Sequence, residues 1–125
     1  MKKTLFIITL VILCFLLNGC STKTTPDREI ESLTIYSEKE VNLAMDIAEK
    51  YFKKNFRECE LKIIKYDEVL SADDTDYYST FYDVPESDIM CLDIIFSQEG
   101  YDDFRECILV RNDYGKWIVK DCGYP

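Results

Sequence analysis

The sequence predicts an α+β domain: one long amphipathic helix packed on an antiparallel sheet of about four strands, behind a leader that is cleaved off. Three observations carry this. Residues Val41 to Phe56 repeat apolar side chains at spacings of three and four, and a helix cap precedes them. Four β-rich runs follow, at Cys59 to Val69, Ile89 to Ser97, Glu106 to Arg111 and Lys116 to Cys122. No second segment of comparable helical quality exists to replace the sheet as cover for the helix.

The leader comes first along the chain. Lys2 and Lys3 precede a run from Leu5 to Leu17 that holds no charge and only Thr9 as a polar residue. That run is too short to cross a bilayer, since a spanning helix needs roughly 20 residues. It ends at Leu17-Asn18-Gly19-Cys20, which resembles the lipobox of bacterial lipoproteins: an aliphatic residue, two small ones, then the cysteine that receives the lipid. The resemblance implies that residues 1–19 are a lipoprotein signal peptide and that Cys20 is lipidated. It also implies a chain anchored to the bacterial cell membrane and facing outside the cytoplasm. An ordinary secretory signal or an uncleaved anchor helix is the competing reading. Cys14 would leave with the leader. Residues 20–32 are polar, contain Pro26 and show no apolar period, so they read as a flexible tether to a single domain over residues 33–125.

Within that domain, Ser37 and Glu40 have the spacing of a capping box, and Tyr36 and Val41 that of a hydrophobic staple. The helix should run from about Glu38 to Phe56 and bury Val41, Ala44, Met45, Ala48, Tyr51, Phe52 and Phe56 on one face. Asn112-Asp113-Tyr114-Gly115 reads as a tight hairpin turn. Pairing around it sets Val110 opposite Trp117 and Ile108 opposite Val119, on the face that the Ala44/Ala48/Phe52 side of the helix covers. Met90, Leu92, Ile94 and Phe96 alternate along the preceding strand and join that face. Ser71 to Asp88 keeps neither period for long and reads as a long loop, with room for a helical turn around Asp76 to Tyr82.

Charge and composition exclude several functions. Two of the 15 basic residues and none of the 24 acidic ones precede Cys20, so the 106 residues from Cys20 onward carry 13 − 24 = −11. Such a field repels phosphate backbones and anionic headgroups, and no nucleic-acid partner is expected. The chain has no histidine, which removes His-activated nucleophiles and the commonest zinc ligand. No Gly-rich phosphate loop and no Cys-x-x-Cys pair occur, so neither a cofactor nor a metal is expected.

The order of motifs is itself informative. A capped helix runs into Phe52-Lys53-Lys54-Asn55-Phe56, and Cys59-Glu60-Leu61 leads a strand into Tyr66-Asp67-Glu68. The chain finishes with Ile108-Leu109-Val110-Arg111 and Lys116-Trp117-Ile118-Val119-Lys120-Asp121-Cys122-Gly123-Tyr124. Behind a lipoprotein leader, this resembles small secreted bacterial lipoproteins that carry a domain of unknown function with a cystatin-like or nuclear-transport-factor-2-like α+β fold. The resemblance implies a fold and no activity, because such folds host isomerases, inhibitors and plain binding modules. The Gln-x-Val-x-Gly hairpin that cystatin-type inhibition needs is missing.

Four sets of residues remain as candidates. Asp93 interrupts an apolar strand, and a buried Asp near a Tyr can transfer protons, but its parity sets it opposite the core face. Asp73, Asp74 and Asp76 are acidic enough for calcium. An EF-hand register begun at Asp74 nevertheless places Ser79 where the central glycine belongs and Pro85 where the closing glutamate belongs. Tyr77, Tyr78, Phe81 and Tyr82 either line a binding surface or pack over the open end of the sheet. Cys59, Cys91, Cys107 and Cys122 are an even number in an exported domain. Cys107 is the central one, bonded to Cys91 or to Cys122, with Cys59 joining whichever remains; buried free thiols are the alternative. The expectation is a non-catalytic binding or interaction module on the membrane. A small enzyme with a carboxylate/tyrosine site in a cone-shaped cavity is the alternative.

Overall fold

The structure, a computed structural model, describes residues 25–124; the leader and Cys20 lie outside the described residues. The elements are β1 (Asp27–Glu31), α1 (Glu38–Asn55), β2 (Glu60–Asp67), α2 (Ala72–Tyr82), a 3-10 turn (Glu86–Asp88), β3 (Ile89–Gln98), β4 (Tyr101–Arg111) and β5 (Trp117–Gly123). They form one mixed sheet in the order β1-β2-β3-β4-β5, in which β1 runs parallel to β2 and every other pair is antiparallel. Two helices cover it, one on each face.

Three expectations are corrected here. First, the sheet has five strands, because Asp27–Glu31 is a strand and not part of a flexible tether. Its alternation is disguised by charge: Arg28 points to the helix side, where its guanidinium meets Asp46 Oδ1 at 2.6 Å and Asn42 Oδ1 at 3.0 Å, and Ile30 packs against the core. A parallel neighbour is reached because α1 crosses over the sheet between β1 and β2, as a βαβ connection must.

Second, the β4–β5 register differs by one residue. Gly115 takes φ +74°, its N–H donates to Asn112 O at 2.9 Å, and Asn112 N donates to Lys116 O at 2.8 Å. A glycine in the left-handed region adds one residue to the loop. Arg111 therefore pairs with Trp117, and Leu109 with Val119. A one-residue slip turns every side chain over. Trp117 and Val119 stay with Ala44, Ala48 and Phe52, whereas Ile108 and Val110 join Ile89 and Cys91 on the opposite face.

Third, Ala72–Tyr82 is a helix and not a loop. Its inward positions, Thr75, Tyr78 and Tyr82, have helical spacing, but only Thr75 is fully buried, and the polar residues between them mask the period. Tyr78, Tyr82 and Val84 close over Ile89, Cys91, Ile108 and Val110.

The larger core lies on the other face. Ser37 caps α1 in a reciprocal box: Glu40 N donates to Ser37 Oγ at 3.2 Å and Ser37 N to Glu40 Oε2 at 3.1 Å. Two of the four orphan donors of the helix start are thereby satisfied. Val41, Ala44, Met45, Ala48 and Phe52 are fully buried against Ile64, Met90, Leu92, Ile94, Phe96 and Leu109. Each such large side chain contributes about 1.5–3 kcal/mol by leaving water.

Candidate functional site

At the end of the sheet where β1 and β2 finish, five segments converge on a cleft of about 330 Å³. The β1–α1 connection supplies Ile35 and Tyr36, β2 supplies Tyr66, the turn after it Glu68 and Val69, the first turn of α2 Thr75, and the 3-10 turn Glu86. Pocket-sized concavities of this order are where proteins commonly take small ligands or side chains of a partner.

The floor is rigid. Tyr36 and Tyr66 are buried and meet edge to face at 6.1 Å. Tyr36 Oη donates to Ile89 O and lies 2.9 Å from Glu86 O. Burial pushes both phenols well above the ordinary tyrosine range, so both remain neutral donors. Beside them Glu68 collects Thr34 N at 2.9 Å, Ile35 N at 3.2 Å, the Thr34 hydroxyl, and Tyr66 Oη at 3.4 Å. Burial of its carboxyl works upward, yet the hydrogen bonds from Thr34 and Ile35 outweigh it and hold Glu68 below the usual carboxylate range. Asp67 Oδ1 accepts from Val69 N and Leu70 N, both at 3.1 Å, and locks the turn that follows β2. The Leu70 N–H in particular holds Asp67 below its ordinary value.

The rim is apolar and uncovered. Val69, at 72 % exposure, and Ile35, at 48 %, form it, and Leu70 and Leu33, near them in the chain, are also exposed. Locked polar groups beneath exposed aliphatic ones can seat an apolar group and orient it by hydrogen bonds. Sequence reasoning missed this site because its residues come from separate segments. The available signal was Val69-Leu70, two aliphatics placed at a turn instead of inside a strand.

The residues singled out from the sequence fall elsewhere. Helix α2 divides the four aromatics: Tyr78 and Tyr82 pack inward, while Tyr77 and Phe81 stand outward at 61 % and 64 % exposure with ring centroids 6.2 Å apart. Asp93 does face away from the α1 side. It lies in a broad, open groove of about 430 Å³ lined by Lys65, Asp93, Ile95, Asp102, Asp103 and Phe104, none of them a tyrosine. Burial raises its carboxyl above the ordinary value. Asp73 and Asp74 belong to the first turn of α2, and no group of acidic, cysteine or histidine side chains suited to a metal occurs among the described residues.

The cysteines are settled by parity. Cys107 and Cys122 are register partners on β4 and β5, with Cα atoms 4.0 Å apart, and they form a disulfide. Cys59 and Cys91 are free. The expected second bridge does not form, because Cys59 packs against the α1-side core and Cys91 lies on the opposite face under α2. Cys20, the expected lipidation site, lies outside the described residues.

The chain matches no family model, no curated protein and no solved structure. Among the described residues, no helix is long and apolar enough to cross a membrane.

Proposed function

We propose that the protein is a lipid-anchored, extracytoplasmic binding module that presents the Ile35/Val69 cleft to its partner. The observation that carries this reading is the uncovered aliphatic rim over a floor of two hydrogen-bonded, buried tyrosines. Exposed apolar groups around a preformed concavity commonly mark an interaction site. The direction of β1 supports the reading further. The tether enters at Asp27 and the strand runs toward Glu31, whose register partner Asp67 borders the cleft turn. The cleft therefore lies toward the end of β1 opposite Asp27. The Leu17-Asn18-Gly19-Cys20 sequence supports anchoring through a lipid on Cys20.

Photo-crosslinking in the native membrane tests the reading. A photoreactive residue at Val69 should yield a discrete adduct that an Ile35→Asp substitution abolishes. The same residue at Tyr101, in the β3–β4 hairpin at the other end of the sheet, should not yield it. Equal labelling from both positions would refute the assignment of the cleft.

A further inference from the structure

Helix α2 turns toward solvent a face that the cleft does not use. Spacings of three and four set Asp73, Asp76, Tyr77, Thr80 and Phe81 on it, and all five are exposed. Tyr77 and Phe81 stack, and each is braced by a ring of the inward pair: Tyr77 meets Tyr78 edge to face at 5.0 Å, and Phe81 meets Tyr82 at 4.9 Å. The inward rings are held in turn over Ile89, Cys91, Ile108 and Val110. The two outward rings are therefore set in place before any partner arrives, and little side-chain freedom is left to lose on binding. Neither lines the cleft.

The charge around this face is one-sided. Residues 66–104, which include α2, hold 12 of the 24 acidic side chains and no Lys or Arg. Residues 20–125 carry −11, so the rest of them carry −11 + 12 = +1, and the whole negative surplus lies in this one stretch. Among the described residues, no ion pair includes a carboxylate of α2. Asp73 and Asp76 thus flank the aromatic pair with no cation of the same chain paired to them.

We propose that the Tyr77/Phe81 face docks a cationic segment of a partner protein, with Lys or Arg side chains lying over the rings and against Asp73 and Asp76. Ring faces attract a cation through their quadrupole, and the stems of Lys or Arg cover the apolar ring surface. The carboxylates draw the segment in over a longer range and fix its register. The same charge disfavours two other occupants. An anionic lipid surface is repelled by it, and so is a second copy of the chain offering the same face.

Fluorescence anisotropy with the full chain in a non-ionic detergent tests this. The probe is a labelled peptide of alternating Lys and Ser residues, and its control replaces every Lys by Glu. The Lys peptide should bind, the Glu peptide should not, and affinity should fall as salt is raised. Phe81→Ala and Asp73→Asn/Asp76→Asn change only exposed side chains, and each should weaken binding about tenfold. Glu99→Gln/Asp102→Asn removes the same charge at the β3–β4 hairpin and should leave affinity within about twofold. Ile35→Asp at the cleft rim should also leave it within about twofold, so that failure of this surface and failure of the cleft are read separately. No binding of the Lys peptide, equal binding of the Glu peptide, or an equal loss from the hairpin substitutions would overturn the proposal. So would adducts from a photoreactive residue at Thr80, in the native membrane, that are confined to a second copy of the chain or to lipid.

Discussion

Reducing the Cys107–Cys122 bridge should destabilise the domain by an amount that its topology sets. The two cysteines are 15 residues apart and sit side by side in the β4–β5 ladder. Closing a loop of that size restricts the unfolded chain by about 3 kcal/mol on the chain-entropy model. A domain this small has roughly 5–15 kcal/mol of stability in total, so the loss is a large fraction of it. Guanidinium unfolding followed through Trp117, the only tryptophan, provides the assay. With a slope of about 2–6 kcal/mol/M, the midpoint should fall by about 0.5–1.5 M on reduction, and a Cys107→Ala/Cys122→Ala protein should match the reduced one. Alkylation in denaturant without reductant should mark Cys59 and Cys91 and leave Cys107 and Cys122 unmarked. Labelling of all four, or a midpoint indifferent to reductant, would refute the pairing.

The remaining predictions concern α1 and its cap. Phe52→Ala removes a fully buried ring that stacks on Phe56 at 4.9 Å and meets Phe96 at 5.4 Å; thermal or chemical unfolding should register a loss of about 3–5 kcal/mol. Ser37→Ala breaks the reciprocal cap and should cost about 1 kcal/mol, with no change in the unfolding slope. The Ser37 backbone N–H, aided by Arg111, holds Glu40 below its ordinary pKa. Its contribution is therefore present above the ordinary glutamate range and lost as pH falls through the lowered value. The melting-temperature difference between wild type and Glu40→Gln should accordingly shrink on acidification, and a difference that grows would contradict the assignment.

What the sequence discloses follows from how local each determinant is. The Ser37–Glu40 cap and the alternation of Met90, Leu92, Ile94 and Phe96 are complete within a few residues, so they can be read directly. Strand β1 is concealed because an inward position, Arg28, is charged and finds its partners Asp46 and Asn42 on a helix still to come. The register of β5 turns on one backbone angle at Gly115, which shifts Ile108 and Val110 to the second face. That shift also creates the apolar bed for α2, so the helix at Ala72–Tyr82 cannot be inferred without it. Cys107 and Cys122 become partners through a further irregularity between Ile108 and Leu109, which no propensity encodes. The cleft is the least local feature, gathered from the β1–α1 connection, β2, its turn, α2 and the 3-10 turn.

The most direct test of a tethered extracytoplasmic module is the mass spectrum of the amino-terminal peptide from protein recovered in its native membrane. The account predicts a chain that begins at Cys20 with a diacylglyceryl group on its sulfur, and loss of membrane retention after Cys20→Ala. Peptides from residues 2–19 in the recovered protein, or an unmodified Cys20 thiol, would contradict it.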